Sequence, residues 1–213
     1  VIGDFPVREV SEQENFWRQD FGADYISRNK SDGLLASNIV LFSKILEKRP
    51  QPASVLELGA NIGMNVRALK LLFPGQQHAA IEINPQACEE LAKVVQDGNL
   101  FPGSIFDVDI DRTFELVFTK GVLIHISPDL LPAVYEKMAN WSSKYVLMIE
   151  YFNPSPVTVK YRGHEDRLFK RDFAGEFLDS YPEFSLVDYG FCYRRDPSHP
   201  QDDVSWFLME RGA

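Results

Sequence analysis

The chain has 213 residues, enough for one sizeable domain with a buried core. Its 22 Lys and Arg stand against 31 Asp and Glu, and the formal charge of −9 at pH 7 argues against broad electrostatic binding of nucleic acid or an anionic membrane. Two cysteines, Cys88 and Cys192, are too few for a disulfide framework or a zinc site, and the longest apolar runs, such as Tyr145 to Ile149, fall far short of the roughly 18–20 residues of a membrane span. A cytoplasmic protein without a structural metal is the expectation from composition.

Residues 1–50 read as a helical lid and residues 51–213 as the core of the domain. Phe16, Trp17, Phe21 and Tyr25 fall roughly on one helix face, and Leu34, Leu35, Ile39, Phe42, Ile45 and Leu46 on a second, cleaner one that stops at Pro50. Then the pattern changes. Ser54 to Leu58 is a short strand, 63–73 a helix closed by Pro74-Gly75, and His78 to Ile83 a second strand. Pro85 to Gln96 reads as a helix with Pro in its first turn. Leu100 to Ile105 and Phe114 to Thr119 read as strands, Pro128 to Trp141 as a helix, and Lys144 to Tyr151 as a strand. Strands alternating with helices imply parallel βαβ units with right-handed crossovers. Phe184 to Tyr193 and Val204 to Glu210 have no helix between them, so they should pair antiparallel and close a sheet of about seven strands.

In such a sheet ligands bind at the carboxyl ends of the strands. The first strand runs into Glu57-Leu-Gly-Ala-Asn-Ile-Gly63. A dinucleotide turn needs glycine at 59, 61 and 64; Asn61 and Met64 occupy two of these, so an NAD site is weakly supported. An acidic residue followed by Gly-x-x-x-Gly instead resembles motif I of the class I S-adenosylmethionine-dependent methyltransferases. Asn61 stands where that family's middle glycine is usual, a departure that Asn tolerates because it also adopts left-handed backbone angles.

The resemblance implies a Rossmann-like α/β fold: a seven-stranded, mostly parallel sheet with an antiparallel C-terminal strand and a helical N-terminal extension. It implies S-adenosyl-L-methionine as cofactor. Glu57, Gly59, Asn61 and Gly63 would form the turn, and Glu82, with Ile83 beside it, would take both ribose hydroxyls. The adenine contact is shared between Ser104, Ile105 and Asp107, because Ser104 stands where the family has an acid. Thr119, Lys120 and Gly121 would pass beneath the sulfonium. Tyr25, Arg28 and Asn29 could fold over the methionine part, with Arg28 on its carboxylate or else a surface charge. Phe16-Trp17, Phe21 to Asn29, Gly121 to Asp129, Tyr151 to Pro154, Tyr161 to His164, Phe169 to Phe173 and Asp188 to Phe191 further resemble the pseudaminic acid biosynthesis-associated methylases over nearly the whole chain. That implies a bacterial surface-sugar acceptor, a nonulosonate or a nucleotide-linked sugar.

Methyl transfer from a sulfonium needs alignment and exclusion of water more than a strong acid or base. A hydroxyl acceptor benefits from a base, and His125, Glu150 and Tyr151 stand at strand ends where one would act. His125 has a plainer reading as a hydrogen-bonded residue at a strand–helix junction and Tyr151 as packing; Glu150 has a bland alternative too, although an acid ending an apolar strand is costly to bury without a reason. Lys160, Arg162, Arg167, Lys170 and Arg171 form a basic cluster in an acidic chain, within an insertion around 152–175. It is either a solvated helix face or an anion pocket, in which Arg162 or Arg171 grips a carboxylate or phosphate, Lys170 adds charge, and Tyr161, His164 and Asn153 line the wall. Trp17, Trp141 and Trp206 read as core or interface residues and Cys88 as an inert buried thiol. The expected partner is a small, anionic, sugar-like acceptor rather than nucleic acid or membrane. A nucleic-acid methyltransferase and a non-catalytic cofactor-binding protein are the competing readings, and the oligomeric state is open.

Overall fold

The computed structural model describes residues 9–18, 31–161 and 164–212, the side chains of 160, 161 and 164–167 excepted. Among the described residues two helices precede the sheet. α1 (Glu12–Arg18) starts in a reciprocal capping box: Glu14 N–H donates to Ser11 Oγ at 3.2 Å and Ser11 N–H to Glu14 Oε2 at 2.8 Å. α2 (Asp32–Leu46) is capped by Ser31 and buries Asn38, Leu41, Phe42, Ile45 and Leu46, a stripe at three- and four-residue spacing.

β1 (Ser54–Leu58), α3 (Met64–Leu72), β2 (Gln77–Glu82), α4 (Pro85–Leu91), β3 (Leu100–Pro102), β4 (Phe114–Lys120), α5 (Leu131–Trp141) and β5 (Ser142–Glu150) follow as parallel units. β3 is shorter than the expected Leu100–Ile105, because Pro102 has no N–H to donate and Gly103, at φ +143°, turns the chain away. After β5 come a hairpin of β6 (Val157–Tyr161) and β7 (His164–Lys170), then α6 (Phe173–Ser180), β8 (Phe184–Phe191) and β9 (Ser205–Arg211). The large sheet has the order β3-β2-β1-β4-β5-β9-β8, and β9 runs antiparallel to both neighbours.

Both faces are covered. On one, Leu41, Phe42 and Ile45 of α2 and Leu69 of α3 meet Leu116, Phe118 and Leu147; Phe42 and Phe118 pack edge to face at 5.5 Å. On the other, Leu131, Val134 and Met138 of α5 and Phe173 and Phe177 of α6 meet Leu56, Val117 and Val146. The basic insertion is neither a loop nor a helix face. It is the β6–β7 hairpin, a separate two-stranded sheet seated through Leu168 on the cluster that holds Leu123, Ile124 and Ile126. Among the described residues no helix is long and apolar enough to cross a membrane, and no group of three or more His, Cys, Asp or Glu side chains is placed to hold a metal ion.

Candidate active site

The sheet order reverses between β1 and β4, since the chain leaves β1 toward β2 on one side and returns to β4 on the other. The turn after β1 is built for this point. Gly59 N–H and Ala60 N–H both donate to Ile81 C=O, at 2.9 and 3.1 Å, which bends the chain sharply off the strand. Gly59 has φ +72°, and a Cβ there would stand 2.7 Å from Val122 Cγ2. Asn61, at φ +49°, is the one non-glycine with positive φ among the described residues. Gly63 is required by α4 rather than by a ligand: a Cβ on it would meet Leu91 Cδ1 at 2.7 Å, and it lies outside the cavity wall.

Glu82 ends β2 and is buried. Its Oε2 accepts from Asn61 N–H at 2.6 Å and its Oε1 from Asn84 N–H at 2.7 Å. Burial raises its pKa, and these backbone donors oppose the shift. Glu57 is also buried; Oε1 accepts from Asn65 Nδ2 at 2.6 Å and Oε2 has no partner among the described residues. Burial pushes its pKa up to about 8, against the pull of Asn65 and of Lys120. Lys120, at the end of β4, is held below its ordinary value by the same desolvation, opposed first by Glu57 and then by Asp202.

These strand ends open into one cavity of about 750 Å³. Its floor is Gly59, Ala60, Asn61, Lys120 and Gly121; one end is Glu82, Ile83, Ser104, Ile105 and Phe106. A Cβ on Gly121 would meet nothing within 4 Å, so the backbone there faces open space. Trp17 of α1 and His125 close another side, their rings 4.7 Å apart. The start of α2 and the β8–β9 loop complete the wall through Ser37, Asn38, Ser198, His199, Gln201 and Asp202. Gln201 Nε2 donates to Asn38 Oδ1 at 2.8 Å, a buried bond that fixes the loop to α2.

No family model matches the chain, and no curated relative matches it. Solved structures match along almost its whole length. The 1,6-didemethyltoxoflavin-N1-methyltransferase of Burkholderia thailandensis, with 1,6-didemethyltoxoflavin and S-adenosylhomocysteine bound, superposes with a TM-score of 0.70 at 15% identity, covering 99% of this chain and 94% of that one. Magnesium protoporphyrin IX methyltransferase of Synechocystis, with S-adenosylhomocysteine bound, gives 0.68 at 15% over 93% and 97%. An amino pentose methyltransferase of Micromonospora echinaspora, with S-adenosylmethionine bound, gives 0.62 at 13% over 91% and 97%. The fold is that of the class I methyltransferases. The narrower resemblance to the pseudaminic acid-associated methylases has no counterpart among these matches.

Within the methyltransferase fold the residues singled out from sequence separate into two groups. Gly59, Asn61, Glu82, Ile83, Ser104, Ile105, Lys120, Gly121 and His125 line the cavity. Ser104 Oγ accepts from Phe106 N–H at 3.2 Å, while Asp107 is exposed outside the wall because its N–H closes a turn on Ser104 C=O. Thr119 is fully buried beneath the floor.

The grouping of His125, Glu150 and Tyr151 does not hold. Glu150 is turned inward: Oε1 accepts from Val122 and Leu123 N–H at 3.1 and 3.2 Å, and Oε2 from Ile124 N–H at 3.5 Å. It anchors the 3-10 turn Leu123–His125, and burial puts its pKa at about 7. Tyr151 packs outside the cavity with Lys170 Nζ 4.8 Å from its ring centroid. Arg171 pairs with Glu176 at 2.5 Å, whose other oxygen accepts from Tyr135 OH at 3.0 Å. Asn153 donates its amide to Ser155 C=O. Asn153, Lys170 and Arg171 therefore spend their polar groups locally and are no part of the cavity wall. Arg162, Tyr25, Arg28 and Asn29 lie outside the described residues, as do the side chains of Tyr161 and His164.

Trp17 is a wall residue rather than core, unlike the buried Trp141 and Trp206. Cys88 is half-buried and donates to Glu82 C=O at 3.4 Å; burial pushes its pKa up to about 11, which keeps it a thiol. Sequence reading missed Trp17 and the β8–β9 loop as parts of the site.

Proposed function

We propose that this chain uses S-adenosyl-L-methionine to methylate a small, hydroxylated, sugar-like acceptor that carries an acid group. The observation that carries the cofactor half is Glu82, whose carboxylate is locked by two backbone donors at the edge of the same cavity as the glycine turn. Each carboxylate oxygen has a second lone pair, so both ribose hydroxyls can still donate to it. The surrounding groups fit the rest of such a cofactor. Asn61 Oδ1 and Asn65 Oδ1 are buried, belong to cavity-wall residues and lack partners among the described residues, as acceptors reserved for ligand N–H groups would be. Ile83, Ile105 and Phe106 offer an apolar slot for a base, and Gly121 leaves its backbone open to close approach.

When bound, the cofactor supplies a methyl group already activated on a sulfonium. The residues then have to align an acceptor atom and keep water away. Among the three candidates for a base, His125 is the one in the wall, and it is the group to take a hydroxyl proton. Ser37, Asn38, Ser198 and Gln201 offer neutral hydroxyl and amide partners, and Trp17 an aromatic face, which suits a polyhydroxylated ring. Of the lysine and arginine side chains in the wall, Arg194 is already paired with Asp203 at 3.4 Å, so Lys120, whose charged form an incoming acid group would favour, is the place for the acceptor's acid group. Titration calorimetry with S-adenosylhomocysteine tests the reading: wild type should bind and Glu82→Ala should not. Absence of binding by wild type to S-adenosylhomocysteine and to S-adenosylmethionine would remove it.

A further inference from the structure

Asn84 lies two residues beyond the carboxylate at the end of β2 and uses every polar group it has. Its N–H donates to Glu82 Oε1 at 2.7 Å. Its Oδ1 accepts from Gln86 and Ala87 N–H at 3.0 and 3.1 Å, capping α4, and these two donors fix which side-chain atom is oxygen. Its Nδ2 is then free to point the other way, and it donates to Trp17 C=O at 3.1 Å and Arg18 C=O at 3.5 Å. Those are carbonyls of the last turn of α1, which have no partner inside the helix. Trp17 in turn lays its ring against His125, in the segment after β4. Trp17 therefore joins the end of β2, through its carbonyl, to the segment after β4, through its ring, and the Asn84 amide ties down the C-terminal end of α1.

We propose that Asn84 is a positioning residue, a latch that ties the state of Glu82 to α1 and so makes the Trp17–His125 wall depend on occupancy of the cofactor site. A ligand that engages Glu82 stiffens the carboxylate that holds Asn84. Asn84 then holds α1 in place, and Trp17 and His125 present a finished wall to the acceptor. An acceptor entering before the cofactor meets a wall whose latch rests on a carboxylate not yet stiffened by ligand, which favours ordered binding. The dependence on cofactor rests on the proposed function; the latch itself does not.

Two substitutions isolate the amide. Asn84→Asp and Asn84→Ser both keep a capping oxygen for α4 and remove the Nδ2 donor, the first with a charge and the second without. Hydrogen exchange read by mass spectrometry on the ligand-free full chain should show α1 amides exchanging about five-fold faster in both variants, the size expected for losing hydrogen bonds of ordinary strength, with α4 unchanged. Adding S-adenosylhomocysteine should protect α1 in the wild type and shift the Trp17 fluorescence, a signal assigned by its loss in Trp17→Phe. In the variants that protection should disappear even at saturating ligand. Unchanged α1 exchange in both variants overturns the latch, and equal ligand-induced protection of α1 in wild type and variants overturns the coupling. If the wild type binds no S-adenosylhomocysteine the cofactor reading falls, and the ligand-free comparison still decides the latch.

Discussion

Glu82 serves the protein and the cavity with the same two oxygens, so its substitution separates two effects. Glu82→Gln keeps the shape but leaves one amide group facing donors at Asn61 and Asn84. Hydrogen bonds to a charged group are worth about 1.5–3 kcal/mol, so affinity for S-adenosylhomocysteine should fall roughly ten- to hundred-fold by calorimetry. The melting temperature should fall as well, because the glycine turn hangs on Asn61 N–H. Gly59→Ala probes the turn itself. At φ +72° and with Val122 Cγ2 2.7 Å from the new methyl, it should cost about 1–3 kcal/mol in urea unfolding. Both residues were legible in the sequence, since a strand-end acid and a glycine at a strand exit declare themselves in a few neighbouring positions. Trp17 and Asn84 were not. What gives them a role is a hydrogen bond across 67 positions of chain, and no local spacing encodes it.

At the scale of elements, direction along the sheet explains what the linear pattern left out. β8 runs parallel to β5, so its carboxyl end emerges beside those of β1 and β4, and the β8–β9 loop must start at the cavity. In sequence that loop is polar, contains Pro and has no periodicity, and it reads only as a connection. The hairpin leaves from the same end of the sheet but folds over the opposite face, where Leu168 and Phe169 are buried, and Lys170 and Arg171 lie off the wall. Charge density in the sequence was visible; the face it would land on was not. The buried Asn38–Gln201 bond is the joint of the loop. Gln201→Ala leaves Asn38 Oδ1 buried without its donor, at a cost of about 1–3 kcal/mol. Thermal unfolding should show that loss, and limited proteolysis should cut faster within 194–202 than in the wild type. A variant with wild-type stability and digestion would mean the loop is held by other contacts.

For the molecule as a whole, the buried titratable groups set a pH profile that net charge does not foresee. Burial raises Glu57 to about 8 and Glu150 to about 7, both above an unfolded value of 4.5. The folded state thus holds protons that the unfolded chain has released, and these groups make stability fall as pH rises from about 4.5 through 7 and 8. His78 acts in the other direction. It is buried in β2 with neither ring nitrogen bonded among the described residues, and burial lowers it to about 4 from 6.5. It stays neutral in the fold while the unfolded chain takes up a proton, so its contribution is intact above 6.5 and is lost as pH falls toward 4. Lys120, lowered by the same burial as Glu57, gives a slope of opposite sign to Glu57, so the wild-type curve alone does not isolate either group. The difference between variants does. Urea midpoints of wild type and Glu57→Gln should converge below pH 5 and separate between 6.5 and 8, with the variant losing less stability. His78→Leu should remove most of the loss between 6.5 and 4, because the leucine leaves no ring to charge. If Glu57→Gln instead follows the wild type across 6.5 to 8, Glu57 is ionised in the free protein and its charge is matched by Lys120, so the two form a charged pair rather than a neutral acid beside an amine.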